Sequence, residues 1–239
     1  MSPKQLHTGA ILVADSHYAP WNPLFFDFLT AIAQGKITTS QLILMGDNCD
    51  LLFAPIHETL RLNHDIITLL NALSLTIEII YLEGNHDFQL TPLFPHIRVI
   101  PRAHQPLVME YGSNTIALLH GDIGGSWGYG LYTALIRNRA ILVGLNWLNQ
   151  WLKGAIIAKL SAQMQRKHHG YVIDDFKTIA YRPQPWLAGC NWVIEGHYHQ
   201  NKTFHWDEYH YCNLGAFTVG GMYYTITSES ALIEEYHYK

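Results

Sequence analysis

Five short motifs, well separated in a chain of 239 residues, carry the side chains that could do chemistry: Asp15-Ser16-His17, Gly46-Asp47-Asn48-Cys49-Asp50, Gly84-Asn85-His86-Asp87, His120-Gly121-Asp122 and Gly196-His197-Tyr198-His199. Carboxylate, amide and imidazole groups in this mixture are donors for divalent cations. Cleaving a phosphate ester near neutral pH needs a nucleophilic oxygen and an offset to the phosphate's charge, and two metal ions about 3.5–4 Å apart supply both. Such a pair asks for a bridging carboxylate with oxygen and imidazole ligands around it. The donor types suit manganese, with iron or zinc as alternatives, better than ions that demand thiolate.

Each motif follows a run able to deliver it. Gly9–Ala14, Gln41–Met45, Thr76–Leu82, Thr115–Leu119 and Trp192–Glu195 are short apolar runs that read as buried strands, and a motif stands just beyond the end of each. The motif glycines let the backbone turn tightly as each donor leaves its strand. Helical spacing over Pro23–Ile32, and over Ile56, Leu60, Ile67, Leu70 and Leu73, places helices between the first strands. Strands alternating with helices predict a largely parallel sheet, whose functional residues gather beyond the carboxyl ends of the strands. Pro106–Tyr111 and Thr115–Leu119 read as a hairpin turning at Gly112–Ser113–Asn114.

The segment 124–171 differs from the rest and is predicted to be a helical insertion within a single domain, 1–239. Ile141, Leu145, Leu148, Leu152, Ile156 and Leu160 recur at three- and four-residue spacing, the pattern of one amphipathic helix, with Asn146, Asn149, Gln150 and Lys153 on another face. From Ile123 to Ile173 there is no acidic residue, against six basic ones: Arg137, Arg139, Lys153, Lys159, Arg166 and Lys167. The whole chain has a formal net charge of −4, so nothing global points to nucleic acid. The three cysteines, Cys49, Cys190 and Cys212, have the spacing of neither a disulfide framework nor a zinc knuckle, which favours a reducing cytosol. No apolar window is long enough for a membrane span, and Met1–Ala14 reads as leading into the first strand rather than as a signal peptide.

With all five motifs in order, the sequence resembles the calcineurin-like metallophosphoesterases along nearly its whole length. The resemblance implies a four-layer α/β/β/α sandwich with a helical cap insertion. It implies one metal on Asp15, His17 and His199, a second on Asn85, His120 and His197, and Asp47 bridging them. His86 would contact the scissile phosphate or protonate the leaving group beside Asn85, and Asp87 would orient His86. Asp50 reads either as a support for a ligand or as a helix cap, and Asp122 as a support for His120. His57, His64, His168, His169, His205 and His210 read as surface or packing residues, and Glu83 and Glu195 as structural.

Within that superfamily the chain is similar to the UDP-2,3-diacylglucosamine hydrolases, which release UMP and 2,3-diacylglucosamine 1-phosphate in lipid A biosynthesis. The similarity lies in the length, the Gly84–Phe88 turn and the apolar, basic insertion. It implies that Trp127, Tyr132, Trp147 and Trp151 hold acyl chains and that Arg137, Arg139, Lys153 and Lys159 meet phosphate or anionic headgroups. It also implies a cytoplasmic protein with peripheral contact to the inner membrane. His86 departs from it, because the lipid A enzymes carry Arg there, a fixed cation that does not transfer a proton. The competing expectations are a phosphodiesterase or nucleotidase acting on a soluble phosphate, and a scaffold without activity.

Overall fold

Strands and helices follow one another in a computed structural model that describes residues 4–122, 133–181, 187, 189–228 and 232–239. In chain order they are β1 (Lys4–Gln5), β2 (Ile11–Val13), α1 (Leu24–Ala33), β3 (Gln41–Leu44), β4 (Leu52–Phe53), α2 (His57–Leu62), α3 (His64–Leu73), β5 (Glu78–Leu82), β6 (Asp87–Phe88), β7 (Arg98–Ile100), β8 (Leu107–Tyr111) and β9 (Asn114–Leu119). After them come α4 (Arg139–Trp151), α5 (Ala155–Met164), α6 (Phe176–Ala180), β10 (Trp192–Glu195), β11 (Lys202–His205), β12 (His210–Asn213), β13 (Met222–Ile226) and β14 (Ile233–His237).

Two six-stranded sheets form, ordered β1-β8-β9-β10-β12-β11 and β14-β13-β2-β3-β5-β7. In the second, β2, β3, β5 and β7 run parallel, and in the first β9, β10 and β12 do. Successive side chains on a strand point to opposite faces, and this sorts the core into layers. Leu12, Ile43 and Ile80 face inward and meet Met109, Ile116, Leu118 and Ile194 between the sheets. Ile11, Val13, Leu42 and Leu44 face outward, against Phe25, Phe28 and Leu29 of α1 and Ile66 and Leu70 of α3. On the far side, Ala117, Leu119, Val193 and Tyr211 pack beneath Phe176 and Ala180 of α6. The expected α/β/β/α sandwich is the fold observed.

Two expected single helices are each broken. The first divides at Asn63, whose φ of −110° leaves the helical range and whose amide donates to the carbonyls of Leu51 and Thr59, at 2.8 and 2.7 Å. The second divides where Lys153 and Gly154 take φ values of 53° and 86°, the left-handed stop that glycine favours after a helix. The exposed face of α4 also differs from the expected one. Leu142, Asn146 and Asn149 are buried, while Ile141, Leu148 and Leu152 are exposed. The two asparagines are tolerated inside because each Oδ1 takes a backbone N–H near a helix start, from His57 (3.0 Å) and from Ile157 (3.1 Å). Through Leu142 and Ile157 the α4–α5 pair packs on Ile56 and Phe88. Of the expected insertion, residues 124–132, with Trp127 and Tyr132, lie outside the described residues.

Candidate metal centre

Asp15, Asp47, Asn85, His120 and His197 follow β2, β3, β5, β9 and β10, so parallel strands of both sheets deliver them to one end of the molecule. Asp15, His17, Asp47, His197 and His199 all hold positive φ, between 46° and 66°. Left-handed backbone is costly for residues other than glycine and clusters at functional sites, with Asp and His among the better-tolerated types. Gly46 (φ 94°) and Gly84 allow the close approach that follows. A Cβ on Gly84 would overlap the Asp47 carboxylate, and one on Gly46 would press into the His120 ring.

The side chains converge as two donor groups with one member in common. Asp15, His17 and Asp47 place ligand atoms within 4.8 Å of one another, and so do Asp47, His120 and His197. A third group, His17, His169 and His199, adjoins the first. Asp47 Oδ1 is used by the backbone N–H of His86 (2.8 Å), while Oδ2 lies 3.5 Å from His120 Nε2. Asp15 Oδ2 likewise accepts from His197 N (2.8 Å) and Oδ1, which makes no hydrogen bond, lies 3.3 Å from His199 Nε2.

The imidazoles are wired in one sense. His86, His120 and His199 donate Nδ1–H to the carbonyl oxygens of Asp50 (2.8 Å), Met45 (3.0 Å) and His169 (2.8 Å). A carbonyl oxygen only accepts, so Nδ1 carries the proton and Nε2 turns a lone pair toward the cavity. His17 Nδ1 is held by Asp50 Oδ1 at 3.0 Å, and its buried Nε2 has no partner. The Nε2 of His120 also faces Asn85 Oδ1 at 3.3 Å. Nε2, Asn85 Oδ1 and Asp47 Oδ2 meeting at one point call for positive charge among them, which a proton on the ring or a bound cation supplies. The unpartnered Asp15 Oδ1 and His17 Nε2 point to the same need in the other group, so the residues present fit a pair of divalent ions.

The electrostatics divides the imidazoles. Burial holds His17 well below the usual histidine value, and burial with neighbouring His120 brings His197 down to about 4, leaving both imidazoles neutral as metal ligands must be. Burial opposes charge on His120 too, but Asp47, helped by Asp15 and Asp122, outweighs it and raises the ring to about 10. Burial likewise opposes the Asp47 carboxylate, yet His120 and His86 outweigh it and hold it well below the ordinary range.

Other expected roles change. Asp87 makes no contact with His86 of the kind expected; its buried carboxylate instead accepts from the N–H groups of Asp47 (3.0 Å), Asn48 (2.6 Å), Cys49 (3.3 Å) and Gly84 (2.9 Å) and from Tyr81 OH (2.6 Å). Asp122 does not reach the His120 ring: its Oδ2 takes Arg102 Nε (2.8 Å) and Arg137 Nη2 (3.0 Å). Arg137 is thereby committed to protein contacts, donating also to the Gly84 carbonyl (2.8 Å) and covering the Phe88 ring at 5.1 Å. Arg139, Trp147, Trp151 and Lys153 lie on α4 and the turn after it, and none lines the cavity.

A cavity of about 70 Å³ is walled by His17, Asp47, Asn85, His197 and His199, with His86 and a segment without regular structure, Lys167, His168, His169 and Tyr171. The His169 ring lies 4.1 Å from that of His17, and Lys167 Nζ is 3.2 Å from His86 Nε2. Neither residue was expected at the site, His168 and His169 reading as surface or packing residues; the basic segment ending in His168-His169 was the one available signal.

Asp50 serves the site as the carboxylate that fixes His17. Residues in this position typically govern metal affinity by 10- to 100-fold. Asp50→Ala is expected to weaken manganese binding to the metal-stripped protein by about that factor, read by calorimetric titration. Asp50→Asn keeps an acceptor for Nδ1–H and is expected to retain most of the affinity. Equal binding by wild type and Asp50→Ala would remove Asp50 from the centre.

No family model matches the sequence, and no curated protein does. Among solved structures, a phosphoesterase from E. coli is similar at 12% identity and a TM-score of 0.47, over 97% of this chain and 100% of that one. An archaeal phosphodiesterase is similar at 14% identity and a TM-score of 0.44, over 96% and 99% of the two chains. Phosphopantetheinyl hydrolase from Mycobacterium tuberculosis is similar at 15% identity and a TM-score of 0.40, over 87% and 89%. At this distance, what the chain does is decided by its own residues.

Proposed function

We propose that this chain is a metal-dependent phosphoester hydrolase of the calcineurin-like type. The observation that carries the reading is Asp47, shared by two donor groups at the carboxyl ends of the parallel strands. Asp15, His17 and His199 would hold one divalent ion, and Asn85, His120 and His197 the other, with Asp47 between them. Bound there, the pair would supply a nucleophilic oxygen at neutral pH and offset the charge of the phosphoryl group. Manganese suits these donors, and iron or zinc would also be accepted.

His86 stands beside that centre with Nδ1 committed to the Asp50 carbonyl, so Nε2 alone is free for substrate chemistry. Lys167 Nζ donates to that nitrogen at 3.2 Å. With Lys167 Nζ turned aside onto the phosphate, a proton carried on His86 Nε2 could pass to the departing oxygen, the task of a general acid. The test uses leaving groups of different acidity. Nitrophenolate departs without help, whereas an alkoxide needs a proton. His86→Ala is expected to lose about 10²–10⁴-fold in kcat on an alkyl phosphodiester, the usual worth of a general acid, and under about tenfold on bis(4-nitrophenyl) phosphate. Equal losses on both would remove the acid role from His86, and undiminished turnover on both would place it outside the reaction.

The wall of the cavity favours a compact, polar phosphate. Lys167, His168, His169, Tyr171 and Asn85 surround it, and among the described residues no aliphatic side chain lines it. A soluble phosphodiester or nucleotide is therefore the first substrate class. A lipid-linked diphosphate such as UDP-2,3-diacylglucosamine is the second, supported by the Gly84–Phe88 turn and the apolar insertion. Release of UMP from that substrate in detergent, compared with turnover of soluble nucleotides, separates the classes.

A further inference from the structure

Residues 167–173, the irregular chain after α5, are tied to the turn that carries His199. Gln200, the next residue along, accepts from Ile173 N (2.8 Å) and donates to the Tyr171 carbonyl (3.1 Å). The Gln200 backbone is itself fixed, its N–H donating to Asn213 Oδ1 at 2.8 Å. The His169 carbonyl takes His199 Nδ1–H at 2.8 Å, and the Tyr171 ring lies 5.6 Å from the His199 ring. These contacts set the His169 side chain at the candidate metal centre. Its ring centroid is 4.1 Å from that of His17 and 5.8 Å from that of His199, and the three residues place ligand atoms within 4.8 Å of one another. His169 is half-buried there, while His168 beside it is exposed.

A ring placed only to cover His17 would need no nitrogen. Phenylalanine would cover it without bringing a third imidazole into a group where the buried His17 Nε2 already lacks a partner. Imidazole nitrogen is what such a group offers to a transition metal. We propose that His169 is a displaceable ligand of the first ion, joining Asp15, His17, Asp47 and His199 until a phosphoryl oxygen takes its place. The inference rests on the metal-dependent reading above and names how access to that centre is controlled. Asp47, Asn85, His120 and His197 give the second ion four protein donors; His169 gives the first ion five. An ion of octahedral preference, such as manganese, then keeps a single open position on the His17 side. A nucleophilic oxygen and a substrate oxygen cannot share that position, so the His169 ring leaves as the phosphate enters. Rotation of the side chain suffices, and the His169 carbonyl can keep its bond to His199 throughout. Segment 167–173 has no helix or strand ladder to break, and Lys167 at its start can turn from His86 Nε2 to the same phosphate.

Two calorimetric titrations test both parts of the proposal: manganese into the metal-stripped full chain, then inorganic phosphate into the manganese-saturated chain. His169→Ala is expected to weaken one of the two manganese-binding events by at least about tenfold, the loss typical of removing a residue that merely supports a ligand. The same variant is expected to bind phosphate about tenfold more tightly, as for a site that the ring closes about nine-tenths of the time. His169→Phe keeps a ring against His17 without a nitrogen and is expected to match His169→Ala in manganese affinity. Wild-type manganese affinity in either variant would make His169 a packing residue and overturn the proposal. So would phosphate binding no tighter to His169→Ala than to wild type, because the ring would then not stand in the phosphate's place. In both cases two manganese ions on wild type leave the hydrolase reading intact, whereas a wild type that takes up no manganese removes that reading as well.

Discussion

Asp47→Ala is expected to abolish measurable phosphodiesterase activity and to cost the chain at least one of its two ions. Asp47 is the one residue common to both donor groups, and its two oxygens do different work. Oδ1 accepts the His86 N–H, which ties the β3 and β5 turns to each other, and Oδ2 faces His120 Nε2 at 3.5 Å. Removing the carboxylate leaves the His120, Asn85 and His197 donors without the anion that makes a cation favourable among them. Transition-state charge stabilisation of several kcal/mol is at stake, and each 1.36 kcal/mol is tenfold in rate, so a loss of kcat of about 10³-fold or more is expected. Elemental analysis should give fewer than two ions per chain, against two for wild type. Two ions retained in Asp47→Ala would show that no bridge runs through this residue, and undiminished turnover would sink the hydrolase reading itself.

The positions of the donors were legible in sequence because each follows an apolar strand and strand ends are where a parallel sheet presents its chemistry. The layers were not legible: an all-apolar run such as Gly9–Ala14 does not tell that Ile11 and Val13 turn outward and Leu12 inward. What periodicity does not carry is partnership across the chain. Three of the five donors to Asp87 come from residues 47, 48 and 49, about forty positions upstream, and nothing near Asp87 in sequence announces them. Lys167 and His169 reach the cavity along a segment without regular structure, where no period exists to read. The face of α4 was misassigned for a third reason. Amphipathicity assumes that apolar side chains point to the core, and here two asparagines point inward because each completes a helix start, leaving the apolar arc to face outward. That inversion is where local pattern and tertiary role conflict, and such conflicts are expected where a surface has work to do.

Asp87→Ala should cost stability and the metal centre at once, which separates it from His86→Ala. Five donors from three segments meet on the Asp87 carboxylate: three N–H groups of the 47–49 turn, that of Gly84, and the Tyr81 hydroxyl. Burial and the nearby Asp47 charge push Asp87 up to about 7 against the pull of these donors. A cation on Asp47 offsets the second of those causes, so loading the centre favours the carboxylate that holds the turns. Alanine leaves buried donors without an acceptor, at about 1–3 kcal/mol each before relaxation. Allowing for solvent entering the gap, a destabilisation of about 3–5 kcal/mol is expected, a fall in Tm of roughly 10 °C for a chain of this size. Because the 47–49 turn carries Asp47, metal affinity should fall in the same variant, whereas His86→Ala should melt near wild type and keep two ions. Calorimetric melting with metal titration of the two variants distinguishes them. If Asp87→Ala melts as wild type does and binds metal normally while losing turnover, the carboxylate acts on the reaction through His86 after all, and its place as the clasp between the β3 and β5 turns is refuted.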